Sequence, residues 1–185
     1  IWRDTITKAP LNHRAHGSLG AALLSKPETL REGLQHLVES ARLEPRDAET
    51  HYQMGIAHLA LENSALAEHS LKECLRLQPS HAMAHAQLGL LMMRSGRVAE
   101  SVPQLRKAVA LSPERVDFRI ALGASLYSSG DNIPEAIACL EKAVGADPGN
   151  HEAWLHLGLA RAKEPKTVAK GIEALWQAVR LKPVS

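Results

Sequence analysis

The residues that could do chemistry in this chain are ten histidines and two cysteines. His81 and His85 stand four apart, a spacing that puts two imidazoles on one helix face and suits a pair of metal ligands. His51 and His58 stand two turns apart. Against a metal reading, His16, His51 and His85 recur at intervals of 35 and 34 residues. Each would pack between helices of its own segment, and residues a whole segment apart cannot share an ion. His81 falls in a turn between segments. Cys74 and Cys139 are about two segments apart and no CxxC occurs, so their spacing argues against a disulfide and leaves the redox compartment open. Cys74 occupies a small-residue position and reads as an inert core thiol. No Gly-x-Ser-x-Gly is present, and neither cysteine lies in an activating motif. No phosphate-binding glycine pattern occurs, and Gly130 reads as a turn. No catalytic residue, metal ligand or cofactor is assigned.

The elements that would position any functional side chain follow from a comb of prolines. Pro10, Pro45, Pro79, Pro113, Pro148 and Pro183 are separated by 35, 34, 34, 35 and 35 residues. A period in that range marks stacked supersecondary units, and each proline closes a helix-like apolar run. The first half of each unit carries a large residue followed by glycine: Leu19-Gly20, Met54-Gly55, Leu88-Gly89, Leu122-Gly123 and Leu157-Gly158. Glycine inside a helix costs about 1 kcal/mol relative to alanine, so its recurrence in register implies a close helix approach. Eight residues before the closing proline stands a large apolar residue (Trp2, Leu37, Leu71, Leu105, Leu140, Leu175). Five before it stands a small one (Thr5, Ser40, Cys74, Ala108, Ala143, Ala178). Large facing small is how antiparallel helices interdigitate. Inner turns are expected at 61–64, 94–97 and 128–132, and Pro27, Pro134 and Pro165 near the starts of second helices. Every unit therefore reads helix–turn–helix, with no strand. The expected organisation is a tail helix of an incomplete repeat over 1–12, then units at 13–47, 48–81, 82–115, 116–150 and 151–185. A chain that opens inside a unit and without Met reads as a piece of a longer array.

Composition is consistent with this. Of 185 residues, 45% are apolar but only 3% aromatic, which suits close helix packing and disfavours a β-sandwich. The net charge of +2 gives no global field toward nucleic acid or membrane. Interleaved aromatics for nucleic-acid binding are lacking, and no apolar run reaches membrane-spanning length.

These columns resemble the tetratricopeptide repeat (TPR): an aromatic, Leu-Gly and a bulky residue in the first helix, then small, large, small and Pro in the second. The resemblance covers essentially the whole chain. Trp154, Leu157 and Gly158 carry it in the last unit, and Gly55, Ala67, Leu71 and Pro79 in the second. Two columns depart from the family pattern. The aromatic column reads His16, His51, His85 and Arg119 before Trp154, and the bulky column reads Leu23, His58, Met92, Leu126 and Arg161. The resemblance implies an all-α, right-handed α-solenoid of five full repeats and a partial one. It also implies a non-catalytic scaffold whose first helices line a concave groove that binds a peptide or protein segment.

Carried onto this chain, the groove columns hold Tyr52, Ile56 and Leu59, then Met83, Ala86, Leu90 and Met93. The next units give Ile120, Ala124 and Tyr127, then Leu155 and Leu159. Part of this apolar set must be core between units, and whatever is exposed marks a partner-binding patch. Methionine there would let the surface adapt to differing side chains. The family's Lys/Asn carboxylate clamp is absent, because its columns hold Gly17, Tyr52, Ala86, Ile120 and Leu155, then Ala21, Ile56, Leu90, Ala124 and Leu159. A broken polar column (Ser18, Gln53, Gln87, Ala121, His156) leaves Gln53, Gln87 and His156 able to hydrogen-bond a peptide backbone. The expected partner contacts are thus Tyr52, Gln53, Ile56, Met83, Gln87, Leu90, Met93, Ile120, Tyr127 and His156.

Two further expectations concern the termini. The last 25 residues hold six basic side chains against two acidic ones, which reads as a solvated face. Trp176 falls in a column otherwise holding Arg3, Val38, Lys72, Arg106 and Glu141. Trp176, Val179 and Leu181 are therefore expected to be partly exposed, and to serve self-association or docking. The opening Trp2-x-Asp4 and Ala9-Pro10-Leu11-Asn12-x-Arg14-Ala15-His16 is similar to the start of TPR tails in membrane-embedded glycosyltransferases. The alternative reading is therefore an accessory domain of such an enzyme.

Overall fold

The structure, a computed structural model, describes residues 11–181. The expected tail helix with Trp2 and Thr5, and the closing Pro183-Val184-Ser185, lie outside the described residues. Among the described residues ten α-helices and no strand occur. They are α1 (His13–Leu23), α2 (Leu30–Leu43), α3 (Ala48–Ala60), α4 (Ser64–Leu77), α5 (Ala82–Arg94), α6 (Val98–Leu111), α7 (Val116–Ser129), α8 (Ile133–Ala146), α9 (His151–Ala162) and α10 (Val168–Leu181). The chain parts into two compact units, Ile1–Ala84 and His85–Ser185, with the boundary in the first turn of α5. In unit 1, α1 packs on α2, α2 on α3 and α3 on α4. In unit 2, α6 packs on α7, α7 on α8, α8 on α9 and α9 on α10. The first helices α7 and α9 also touch.

The repeated glycines explain how the two helices of a pair approach. A Cβ on Gly20, Gly55, Gly89, Gly123 or Gly158 would stand 2.5–2.9 Å from Cγ of the leucine facing it, namely Leu37, Leu71, Leu105, Leu140 and Leu175. No carbon can sit there, so the leucine fills the space the glycine leaves. Leu37, Leu71, Leu105 and Leu140 are fully buried as a result. The small column beneath them, Ser40, Cys74, Ala108 and Ala143, is fully buried too. Burial of a leucine side chain stabilises by roughly 1.5–3 kcal/mol, so this one contact, repeated, accounts for much of the cohesion within each pair.

Helix ends follow local chemistry. Asn12 and Asn150 each accept the amide three residues on, at 3.1 and 3.0 Å. Asp47 accepts Glu49 N–H at 3.2 Å. Asn132 accepts Glu135 N–H at 3.1 Å and donates Nδ2–H to Glu135 Oε2 at 2.9 Å, a reciprocal cap. Pro134 is the second residue of α8, where no amide hydrogen is needed. The inner turn passes through the left-handed region at Glu62 (φ 60°), Gly96 (75°) and Gly130 (74°), each seven residues after its helix glycine. Before α2 and α10 the turn contains proline instead. There Thr29 Oγ1 donates to Leu23 O at 2.6 Å, and Thr167 Oγ1 to Arg161 O at 2.7 Å.

Two members of the aromatic column, His51 and Trp154, make the same kind of bond despite the change of residue. Trp154 donates Nε1–H to Pro148 O at 2.9 Å, and His51 Nε2 lies 3.0 Å from Pro45 O. Both reach six residues back, to the carbonyl of the proline that closes the preceding helix. A histidine with its proton on Nε2 replaces the indole at this bond.

Candidate partner-binding faces

The first-helix face of unit 1 sets a polar network beside apolar side chains. Ser40 Oγ, on α2, donates to His13 O at 2.9 Å and lies 3.1 Å from Thr50 Oγ1. Thr50 Oγ1 donates to Asp47 Oδ2 at 2.6 Å. Above this chain an open cleft of about 280 Å³ separates α1 from α3, with Arg14 and Ser18 on one side and Glu49 and Gln53 on the other. Glu49 is the hub of the face. Its Oε1 accepts Gln53 Nε2–H at 2.6 Å, and its Oε2 lies 3.3 Å from His81 Nε2. His81 Nδ1 accepts Ala84 N–H at 3.1 Å, which leaves the ring proton on Nε2, facing Glu49. The Tyr52 ring stacks on His81 with centroids 4.7 Å apart. Tyr52, Gln53, Ile56 and Met83 are all half-buried, so each keeps surface to offer.

The corresponding face of unit 2 is apolar. Gln87, Leu90 and Met93 on α5 are half-buried, as are Tyr127 on α7 and His156 on α9. Lys163 Nζ stands 5.4 Å from the Tyr127 ring centroid, a cation–π distance. Ile120 is only 5% exposed and belongs to the aliphatic core with Leu122, Leu126, Leu140 and Leu157. It supports the face from beneath. Leu155, in the same column, is 40% exposed. His156 Nδ1 is buried without a hydrogen-bond partner, and burial pushes the pKa of its imidazole down. A second cleft of about 320 Å³ lies elsewhere in unit 2, beside Pro103, Arg106 and Asn132, and contains none of the expected contact residues.

The groups singled out for chemistry are placed as follows. His16 and His85 are buried, with His16 Nδ1 3.1 Å from His36 Nδ1 and His85 Nδ1 2.8 Å from Gln104 Oε1. His81 caps α5 as described. Among the described residues no three His, Cys, Asp or Glu side chains gather as a metal site would require. Cys74 is fully buried, and desolvation, aided by the Glu49 and Asp47 charges, pushes its thiol up to about 12. It is a packing residue, not a nucleophile. Cys74 and Cys139 are both free thiols. Sequence reasoning missed Glu49 and Arg14. The Glu49–Gln53 spacing of four was the available signal, whereas the approach of His81 from 32 residues away left none. Among the described residues no helix is long and apolar enough to cross a membrane.

A family model for the tetratricopeptide repeat matches residues 52–116, 87–132 and 120–185, and the chain belongs to that family. The fold is accordingly the all-α repeat class expected from the columns, a class that typically serves as a non-catalytic scaffold for protein–protein interaction. The chain is 39% identical over 62 residues to the peroxisomal targeting signal receptor of Eremothecium gossypii; that match covers 34% of this chain and 11% of the receptor. The chain thus spans only about a tenth of such relatives. Among solved structures, the TPR protein YrrB superposes with a TM-score of 0.84 at 21% identity, covering 99% of this chain and 93% of that one. MamA from Desulfovibrio magneticus RS-1 superposes with a TM-score of 0.77 at 26% identity, covering 90% of this chain and 94% of that one.

Proposed function

We propose that this chain is a non-catalytic interaction scaffold that holds a peptide or protein segment against its first-helix faces. The observation that carries the reading is the set of half-buried large side chains where a solvated helix face would be polar: Tyr52, Ile56 and Met83 in unit 1, and Leu90, Met93 and Tyr127 in unit 2. Each keeps part of its apolar surface in water, and a partner covering it gains about 25 cal/mol per Å² removed. Gln53, Gln87 and His156 supply polar groups beside these residues for the backbone of the bound segment. Two similar proteins support the reading through what they bind. YrrB is a TPR protein with an unusual peptide-binding site, and the Eremothecium gossypii relative is a peroxisomal targeting signal receptor.

The test is selection of a displayed peptide library on the full chain, followed by calorimetry of an enriched peptide against Tyr52→Glu, Leu90→Glu and Tyr127→Glu. Binding is expected to weaken by at least about tenfold for variants on the contacted face, since each loses an anchor, while helical circular dichroism is unchanged. Undiminished binding in all three variants, or loss of helicity, places the ligand elsewhere or these residues in the core.

A further inference from the structure

The outer face of α10 carries an apolar stripe that the inner second helices do not expose. Ile172 is 50%, Trp176 63% and Val179 56% exposed. In the columns of Ile172 and Val179, Val102 is 8% and Val144 9% exposed. The difference has a local cause. α6 is covered by α7, and α8 by α9, whereas nothing among the described residues lies on this side of α10. Leu175, whose counterparts Leu105 and Leu140 are fully buried, is only half-buried for the same reason.

We propose that this face binds the same face of a second copy of the chain, with the two α10 helices antiparallel about a two-fold axis. Spacing and charge carry the assignment. At 100° per residue, Ile172, Leu175 and Val179 fall on one stripe at the three–four spacing that lets two helices interlock. Gly171, Ala174 and Ala178, buried on the opposite edge, seat α10 in its own unit. A two-fold axis between Leu175 and Trp176 sets Ile172 opposite the second copy's Val179, and Leu175 opposite its Trp176. Glu173 and Arg180 lie two turns apart on the solvent edge of the stripe. Both are exposed, and neither forms an ion pair among the described residues. Antiparallel pairing brings each Glu173 to the other copy's Arg180, twice. Parallel pairing would carry this edge of the second copy to the far side of the contact, where neither charge meets its complement. An isologous contact closes on itself. One helix face supplies only part of the roughly 800 Å² per partner of a standard interface, so the dimer is of the weak, exchanging kind. The proposal is independent of the first-helix faces and stands if they bind nothing.

Sedimentation equilibrium of the full chain over a concentration series is expected to show monomer–dimer exchange. Trp176→Glu is expected to raise the dissociation constant by at least about tenfold, with unchanged circular dichroism because the side chain is already in solvent. Glu173→Arg and Arg180→Glu should each weaken the dimer. The double variant should restore it to within about threefold of the parent, because the exchanged charges meet again. Three results each overturn the proposal: a chain that stays monomeric throughout, a dimer indifferent to Trp176→Glu, or a double variant as weak as the singles. Species that grow without limit also overturn it, since they require a head-to-tail contact.

Discussion

Unit 1 and unit 2 share one register of glycine, leucine and small residues, yet they use the faces between helices differently. Unit 1 joins α2 to α3 through Ser40, Thr50 and Asp47, and gathers Gln53 and His81 around Glu49. Unit 2 joins its helices through an aliphatic cluster, with the buried Ser101–Ser125 pair as its polar contact between α6 and α7. Its long-range ion pairs, Arg106–Glu135 and Arg161–Glu141, are part-exposed and contribute little. The comparison separates two demands on a repeat. The close approach within a helix pair is invariant because it is steric. The chemistry between neighbouring pairs is free to vary, and that freedom lets one fold join its helices through a polar network in one unit and an aliphatic cluster in the other.

The largest expected effect tests whether the aliphatic cluster holds unit 2 by itself. Leu140 is fully buried within it. Leu140→Ala is expected to cost about 2–5 kcal/mol, from lost burial and the cavity left behind, in urea unfolding. Amide exchange should speed up in α7 to α10 and much less in α1 to α4. An equal loss of protection in both units would show a single cooperative block.

Next in size is the steric approach itself. A Cβ on Gly20 would meet the Gly33 carbonyl oxygen at 2.8 Å as well as Leu37 Cγ at 2.7 Å, whereas on Gly123 the three nearest atoms are all Leu140 side-chain carbons, from 2.5 Å. Backbone cannot yield as a side chain can. Gly20→Ala is therefore expected to destabilise by about 2–3 kcal/mol and Gly123→Ala by about 1–2 kcal/mol, partly offset by the helix preference of alanine. Equal costs would mean that the leucine, not the carbonyl, sets the limit.

Much of the architecture is legible in the sequence because steric contacts leave marks at fixed intervals: Gly20 and Leu37, Gly55 and Leu71, Gly123 and Leu140. The exposed end also announces itself, since Trp176 breaks a column of mostly polar residues. The binding faces are legible only in part. Tyr52, Ala86, Ile120 and Leu155 share one column, yet Tyr52 is half-buried, Ala86 and Ile120 are buried and Leu155 is exposed. Burial there depends on which side chains the neighbouring helices happen to offer, and this has no period. Glu49 illustrates the same limit, because its role depends on His81 in a different turn. His51 shows the converse. It looks like a defect in the aromatic column, but its ring reaches the carbonyl of Pro45, the counterpart of the Pro148 carbonyl that Trp154 reaches.

Two positions in unit 1 depart from their unit 2 counterparts at some cost, and transplanting the unit 2 residue sharpens the contrast. His58 is buried with Nδ1 unpartnered, where the next two repeats, both in unit 2, have Met92 and Leu126. Burial lowers the pKa of His58 from its ordinary value of 6.5. The unfolded imidazole therefore takes up a proton at higher pH than the folded one. Protonation costs the folded state nothing above about pH 6.5, and stability is lost as pH falls below it. His58→Met is expected to stabilise by about 1–2 kcal/mol at pH 7, by removing an unsatisfied buried group, and by more at pH 5.5. Chemical unfolding at the two pH values measures both. Some acid sensitivity should persist from His156, whose pKa burial also lowers. An unchanged slope against pH would mean that His58 titrates alike in both states.

The smallest effect concerns the turn between α3 and α4. Glu62 holds a left-handed backbone at φ 60°, at the place where Gly96 and Gly130 take 75° and 74°. An L-residue with a side chain pays about 1 kcal/mol there through contact of Cβ with its own backbone, and glycine does not. The Glu62 side chain is exposed and forms no ion pair among the described residues, so little is lost with it. Against the gain stands the greater freedom of glycine in the unfolded chain, which also costs a fraction of a kcal/mol. The balance favours Glu62→Gly by about 0.5 kcal/mol, a shift of a few degrees in thermal midpoint for unit 1. Glu62→Ala separates the two contributions. It keeps the strained Cβ and removes only the carboxylate, so it should leave the midpoint unmoved. If alanine stabilises as much as glycine does, the burden at this turn is the charge of Glu62 and not its backbone.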